Sequence, residues 1–318
     1  MQQTLAAELA AIVGPDAVLS RREDLMLYEY DGSTERALPE AVVFPATTTE
    51  VVELVRWAKE RGVPIVGRGA GTGLSGGAVA AQGGLVIVFS RMKKILEVDS
   101  PNQRAVVQPG VVNLDLSQAV QASGYYYAPD PSSQKACTIG GNVAENSGGP
   151  HTLAYGVTTN HVLGLEVVLP DGEVIHTGGK AVDSPGYDLT GILVGSEGTL
   201  GFVTEIIVRL TRLPEAVKTL LAIFEKVDDA SESVAEITAR AITPAALEMM
   251  DQLTLRAVEA ATHAGYPQDA AAVLLIELEG LREGVEAQAE QIGEVCRQHR
   301  AREVRVAQSE RERQLLWA

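Results

Sequence analysis

Apolar positions in the first sixty residues fall twice on one face of a helix. Leu5, Leu9, Ile12 and Val13 form the first face, and Val51, Leu54, Val55 and Ala58 the second. The second stretch carries its own punctuation. Thr47-Thr48-Thr49-Glu50 offers a capping box, and Gly62 followed by Pro64 ends the run, so a helix is expected over 49–61. From Pro64 the pattern becomes strand-like at Pro64–Val66, Leu85–Phe89, Ala105–Gln108, Val162–Leu169 and Phe202–Leu210. Asp171-Gly172 between two such runs signals a hairpin into Glu173–Thr177, and hence an antiparallel sheet. After Pro214 glycines thin out and strands (Val217–Glu225, Ala246–Met250, Ala271–Glu279, Glu303–Ala307) alternate with helices (from about 229, near 252–263, near 282–299). This predicts an α+β chain: an N-terminal arm over 1–37, a glycine-rich domain over 38–213, and a domain over 214–318 with helices on one face of its sheet.

Charge and composition narrow the functions available. The 318 residues carry 26 Lys and Arg against 42 Asp and Glu, a net charge of −16. Such a surface repels phosphate backbones, and no basic stripe offsets it, which argues against nucleic-acid partners. The longest apolar run, Ala270–Ile276, is far short of a bilayer span, so no transmembrane segment is expected and a cytoplasmic protein is. Two cysteines, Cys137 and Cys296, cannot build a disulfide framework or a structural zinc site.

The densest chemical signal is Gly67-Arg68-Gly69-Ala70-Gly71-Thr72-Gly73-Leu74-Ser75-Gly76-Gly77, with six glycines in eleven residues. Glycine adopts positive φ freely and holds no side chain against a ligand, so successive N–H groups can face one concavity and meet an anion. A Walker loop needs Gly-Lys-Ser/Thr, and no lysine occurs between Arg61 and Arg91. A literal G-x-G-x-x-G stands at Gly71, Gly73 and Gly76, but a Rossmann fingerprint opens a helix, and here Gly77, Gly83 and Gly84 interrupt the stretch before the next strand. Two further loops are of similar make-up: Thr138-Ile139-Gly140-Gly141-Asn142 with Glu145-Asn146-Ser147-Gly148-Gly149, and Gly195-Ser196-Glu197-Gly198-Thr199-Leu200-Gly201. Three such loops suggest one extended ligand touched several times.

These runs, with Ala128-Pro129-Asp130-Pro131-Ser132-Ser133-Gln134, resemble the FAD-linked oxidases of the vanillyl-alcohol-oxidase and p-cresol-methylhydroxylase (PCMH) type. Within it, the chain is most similar to the branch that holds the FAD subunit of glycolate oxidase with D-lactate and D-2-hydroxyglutarate dehydrogenases. The likeness runs to Leu247-Glu248-Met249-Met250-Asp251 in the second domain. It implies a PCMH-type FAD-binding domain of two small α/β subdomains and an incomplete antiparallel-sheet cap domain. By the same resemblance, Arg68, Gly69, Ala70, Gly71, Thr72, Gly73, Leu74 and Ser75 cradle the FAD pyrophosphate through backbone N–H groups. Pro129, Thr138, Gly140, Gly141, Asn142, Asn146, Gly148 and Gly149 line the flavin and ribityl side. Glu197, Gly198, Gly201 and Val203 close the adenine side. No histidine lies in Gly67–Gly77, which implies non-covalent FAD.

The implied activity is oxidation of a 2-hydroxy acid by hydride transfer to flavin, with electrons passing to an iron–sulfur partner subunit or a quinone-linked acceptor, and with peripheral association at the inner membrane through a partner. Relatives draw substrate-handling groups from a Trp-x-x-Arg segment and two later histidine motifs. Here the sequence ends at Leu316-Trp317-Ala318, so a truncated second domain is expected and no catalytic residue is assigned. Glu197 and Asp130 are candidate carboxylates with turn-forming roles as the alternative, and Tyr125, Tyr126 and Tyr127 are candidates for stacking on the flavin or for core packing. His151, His161, His176, His263 and His299 show no ligand spacing, so no metal is expected. Two other readings stay open: a protein that binds FAD and a partner without turnover, and an NADPH-using reductase of enolpyruvyl sugar nucleotides.

Overall fold

The structure, a computed structural model, describes residues 2–181 and 186–317. It divides into two compact units, one of residues 1–149 with 157–212 and one of residues 150–156 with 213–318.

The first unit holds two main sheets. In one, Ala41–Val43, Leu85–Val88 and Ile65–Arg68 run parallel in that order, and Val18–Leu19 pairs antiparallel on the outer side of Ala41–Val43. Parallel strands covered on both faces read as unbroken apolar runs, and Leu85-Val86-Ile87-Val88 is wholly buried. Leu85 and Ile87 enter one core with Val51, Leu54 and Trp57 of the helix Thr48–Arg61, while Val86 and Val88 enter another with Leu25 and Val42. Segment 1–37 contributes Leu9, Val13, Ala17 and Leu25 to these cores. The helix Thr48–Arg61 starts as its sequence suggests, Thr47 Oγ1 accepting from the Glu50 amide. The Glu50 carboxylate reaches one residue further back than a capping box requires, to the Ala46 amide at 2.6 Å.

The second sheet is antiparallel throughout, in the order Ile95–Asp99, Arg104–Val107, Phe202–Arg209, Val162–Val168, Val174–Gly178. Its last pair is the hairpin at Asp171-Gly172: Gly172 has φ +79°, and Asp171 Oδ1 accepts from the Glu173 amide. Alternate residues of Phe202–Arg209 are buried, and Ile206 and Val208 pack with Ile139 and Val143 of the helix Ile139–Glu145. That packing fixes the helix beside the glycine loops.

The second unit is an antiparallel sheet ordered Ala246–Asp251, Ala272–Gly280, Ala216–Phe224, Glu303–Val306. One face packs Leu220, Ala222, Phe224, Leu274 and Ile276 against the helices Val227–Ala239 and Arg282–Gln298. The other face is covered too: Leu221, Ile223, Val273 and Leu275 meet Leu255 of the helix Gln252–Thr262, with Tyr266, Leu316 and Trp317.

Candidate functional site

A cavity of about 620 Å³ opens in the first unit where the three glycine-rich loops meet. Its floor is laid by the strand Ile65–Arg68, which delivers the loop 69–77, and by the helix Ile139–Glu145, whose Thr138 caps the first turn by accepting from the Gly141 amide at 3.3 Å. The turn 195–201 clips onto the end of that helix: the Gly195 amide donates to the Val143 carbonyl at 2.8 Å and the Glu197 amide to that of Ala144 at 2.9 Å. Glu197 and Gly198 take positive φ to do so.

Of the residues expected at the cofactor, Arg68, Gly69, Ala70, Gly71, Thr72, Gly73, Leu74 and Ser75 line the cavity. So do Thr138, Gly140, Gly141 and Asn142 from the second loop, and Glu197, Gly198, Gly201 and Val203 from the third. Four expected residues are not in its lining. Pro129 is buried with its carbonyl accepting from Asn113 Nδ2, and Asn146 ends the helix at φ +51° while its Oδ1 accepts from the Thr159 amide. Gly149 packs against Asp130, whose carbonyl oxygen lies 2.3 Å from where a Cβ would stand, and Gly148 precedes it outside the lining.

The loop fits an anion through its main chain. Among the described residues, none of the amides from 69 to 77 donates to a protein acceptor. The Gly73 carbonyl is tied instead, accepting from the Gly32 amide at 2.9 Å. Two glycines let the loop pack tightly on neighbouring side chains: a Cβ on Gly69 would stand 2.5 Å from Thr138 Oγ1, and one on Gly71, at φ +72°, 2.2 Å from Arg68 Nη2. Gly73 differs, since its φ is not positive and a Cβ would meet Glu145 Oε1 at an ordinary 3.7 Å. Asn142, 1% exposed, leaves its Nδ2 buried without a partner at the cavity wall, an orphan donor that a polar ligand would satisfy.

The one arginine of the loop is not a loose phosphate clamp. Arg68 is buried, its Nη1 donates to the Tyr30 carbonyl at 2.7 Å, and its guanidinium lies over the Tyr28 ring. Burial pulls its pKa down, against the opposing charge of Asp31. Asp31, which no sequence motif marks, accepts from the Ser33 and Ala78 amides. Burial would raise its pKa, but those bonds and Arg68 hold it below the usual carboxylate range. Glu145, also unforeseen, accepts from Ser75 Oγ at 3.1 Å, and burial first, then the charges of Glu197 and Asp31, push its pKa up. The Glu197 carboxylate makes no hydrogen bond among the described residues, so the expected turn-bonding role falls to its backbone.

Tyr125, Tyr126 and Tyr127 serve packing. The first two pair with Thr211–Arg212 as a short antiparallel ladder, and Tyr127 is fully buried in the core beneath the second sheet, where desolvation drives its pKa far up. Among the histidines, His161 is buried edge-on to Tyr127, and His176 and His299 sit 3.2 and 3.3 Å from Glu166 and Glu232. His263 ends a helix at positive φ. His151 lies in the second unit and meets two carboxylates, Glu277 and Glu279. No spacing signals this, because residues 126 apart are joined only by the tertiary fold.

The FAD-binding domain family matches residues 39–178, and the C-terminal domain family of FAD-linked oxidases matches residues 213–318. The chain belongs to the FAD-linked oxidases. The FAD-binding match takes in the loop 69–77 and the run 138–149, two of the three loops that line the cavity. The glycolate oxidase subunit GlcD of Bacillus subtilis is 48% identical over 307 residues, 96% of this chain and 65% of that protein. GlcD of Escherichia coli K12 is 47% identical over 302 residues, 95% and 60% respectively. A D-lactate dehydrogenase of Archaeoglobus fulgidus is 40% identical over 238 residues, 73% of this chain and 52% of that one. The chain thus spans less than two thirds of the length of these relatives. Among solved structures, p-cresol methylhydroxylase matches with TM-score 0.82 at 20% identity, over 99% of this chain and 68% of that one. An alkyldihydroxyacetonephosphate synthase matches with TM-score 0.83 at 21%, over 98% and 62%. At these identities the likeness is one of fold.

Proposed function

We propose that this chain is the flavin-bearing part of an enzyme that oxidises a 2-hydroxy acid of the glycolate or D-lactate type to the 2-oxo acid. The observation that carries the reading is the row of undonated amides over 69–77 beside a cavity of flavin size, in a chain close in sequence to glycolate oxidase subunits. The amides hold the diphosphate, with Gly69 and Gly71 letting the loop take its shape against Thr138 and Arg68. Asn142 Nδ2 donates to the ligand from the floor, and Thr138, Gly140 and Gly141 shape the wall beside it. The FAD is held non-covalently, by these main-chain and side-chain contacts. Bound FAD supplies a two-electron acceptor for the hydride leaving the α-carbon of the substrate.

Glu145 manages charge at this site. Its side chain stands beside the loop, within 3.1 Å of a Cβ position on Gly77, and a diphosphate arriving there makes its proton harder to lose. Holding that proton spares the ligand a second carboxylate charge. Electrons leave to a partner of iron–sulfur type or to a quinone-linked acceptor, which would place the protein in the cytoplasm or at the membrane face through that partner.

The test is an absorption spectrum of the purified chain, followed by anaerobic addition of glycolate, D-lactate, D-2-hydroxyglutarate and NADPH in separate cuvettes. Bleaching of the flavin band by a 2-hydroxy acid and not by NADPH supports the reading. Bleaching by NADPH alone replaces it with a reductase.

A further inference from the structure

One cluster of buried and half-buried titratable groups stands in the second unit, and none of its residues is in the lining of the cavity. His151, at the start of the short helix Thr152–Tyr155, faces Glu277 and Glu279 of the strand Ala272–Gly280. Residues two apart on a strand share a face, so both carboxylates point the same way. Glu277 is 1% exposed, and a fully buried carboxylate in mid-strand is costly unless something answers its charge.

The orientation of the oxygens is informative. Glu277 Oε2 accepts from Thr219 Oγ1 at 2.7 Å, and Glu279 Oε2 accepts from Tyr155 OH at 2.7 Å. Arg313 Nη1 approaches Glu277 on that same Oε2 atom, at 3.4 Å. Each carboxylate is therefore held by one oxygen, and its other oxygen is turned to the histidine: Oε1 of Glu277 lies 3.2 Å from His151 Nε2, and Oε1 of Glu279 lies 3.9 Å from it. The three atoms lie within 4.8 Å of one another. Metal–ligand bonds of about 2.1 Å in a tetrahedral site put ligand atoms about 3.4 Å apart, so the cluster needs only small side-chain shifts to close on an ion. Outer hydrogen bonds to the far oxygen of each ligating carboxylate are also what a metal site requires of its surroundings.

We propose that His151 Nε2, Glu277 Oε1 and Glu279 Oε1 form a binding site for a divalent cation of the zinc or manganese class, distinct from the flavin cavity. One imidazole and two carboxylates favour such an ion over magnesium, which prefers all-oxygen shells rich in water. Three protein ligands leave at least one position for water. The ion ties the segment 150–156 to the inner strand Ala272–Gly280 of the second unit's sheet, and it answers the charge of Glu277 together with Arg313.

The experiment is calorimetric titration of the EDTA-stripped full chain with Zn²⁺ alone, and with Mg²⁺ alone for comparison. One Zn²⁺ per chain is expected, bound at least tenfold more tightly than Mg²⁺. His151→Ala and Glu279→Gln should each weaken it at least tenfold, and Tyr155→Phe, which keeps all three ligands, about tenfold through the lost outer bond. His176→Ala, at an exposed His–Glu pair elsewhere, should leave it unchanged. Absence of stoichiometric zinc, or binding that survives His151→Ala, overturns the proposal. A second readout needs no ligand variant. The Trp317 ring centroid is 6.2 Å from that of His151, so Co²⁺ should quench its fluorescence, and Trp317→Phe should remove that quenching while leaving the stoichiometry at one. Quenching of equal depth in Trp317→Phe puts the ion elsewhere and also overturns the proposal.

Discussion

Gly71→Val tests the cradle most directly. At φ +72° a valine pays the left-handed penalty of a β-branched residue, about 1–2 kcal/mol. Its Cβ would also stand 2.2 Å from Arg68 Nη2 and 2.6 Å from Cζ. Arg68 cannot simply swing aside, because it is buried and donates to the Tyr30 carbonyl, and losing a hydrogen bond of a charged group costs about 1.5–3 kcal/mol. The sum, roughly 2.5–5 kcal/mol, appears chiefly in ligand binding: the loop amides have no protein acceptors, so the free loop relaxes at little cost and must be forced back when the diphosphate arrives. At about 1.4 kcal/mol per decade, the FAD dissociation constant should rise by about two orders of magnitude or more. The assay is flavin retention after gel filtration, followed by fluorescence titration of the stripped protein with FAD. Gly73→Ala is the internal control, expected within about threefold of wild type because its Cβ meets only Glu145 at 3.7 Å, roughly 0.6 kcal/mol of room for error. Wild-type affinity in Gly71→Val, or a larger loss in Gly73→Ala, would refute the argument.

Asn142→Ala should lower FAD affinity about tenfold through the lost Nδ2 donor, while the flavin-free protein loses only the weak bond that Oδ1 accepts from Cys137 Sγ at 3.5 Å; a thermal melt and an FAD titration separate the two effects. FAD binding should weaken as pH rises through the range set by Glu145: its pKa is already raised and rises further beside the diphosphate, so the bound form holds a proton that the free form gives up, and binding is favoured on the acid side. Titrations across pH should show that slope in wild type and a flatter one in Glu145→Gln. Phe224→Ala, in the core of the second unit, should cost about 3–5 kcal/mol by denaturant unfolding. An unchanged midpoint would mean that this core relaxes around the loss.

Much of the architecture could be read from local pattern. The apolar run at Leu85–Val88, the Asp171-Gly172 turn and the Thr47 cap each act over a few residues, and sequence reports such short-range physics well. The three loops were legible as one site for the same reason, since glycine clusters are costly without a ligand. What escaped reading depends on partners far along the chain. Gly71 and Gly73 look alike in sequence, and only the fold of Arg68 beneath the loop makes one indispensable and the other tolerant. Pro129, Asn146 and Gly149 stand in the expected runs, yet they are taken up by Asn113, Thr159 and Asp130 instead of the cavity. The Arg68 side chain is an internal strut to the Tyr30 carbonyl, 38 residues away, and no local pattern announces it. Glu277 reads as one charge within a strand, and its neighbours His151 and Thr219 come from segments 126 and 58 residues away.

The unengaged N–H row of the loop also makes it a reporter. In deuterium exchange, an amide with no acceptor swaps its hydrogen at close to the rate of an unstructured peptide, even where the surrounding fold is rigid. A peptide spanning residues 69–77 should therefore label within seconds in flavin-free protein and slow sharply once the dinucleotide is added, while the neighbouring strand Leu85–Val88 stays dark throughout. The footprint of the cofactor can thus be traced by mass spectrometry, amide by amide.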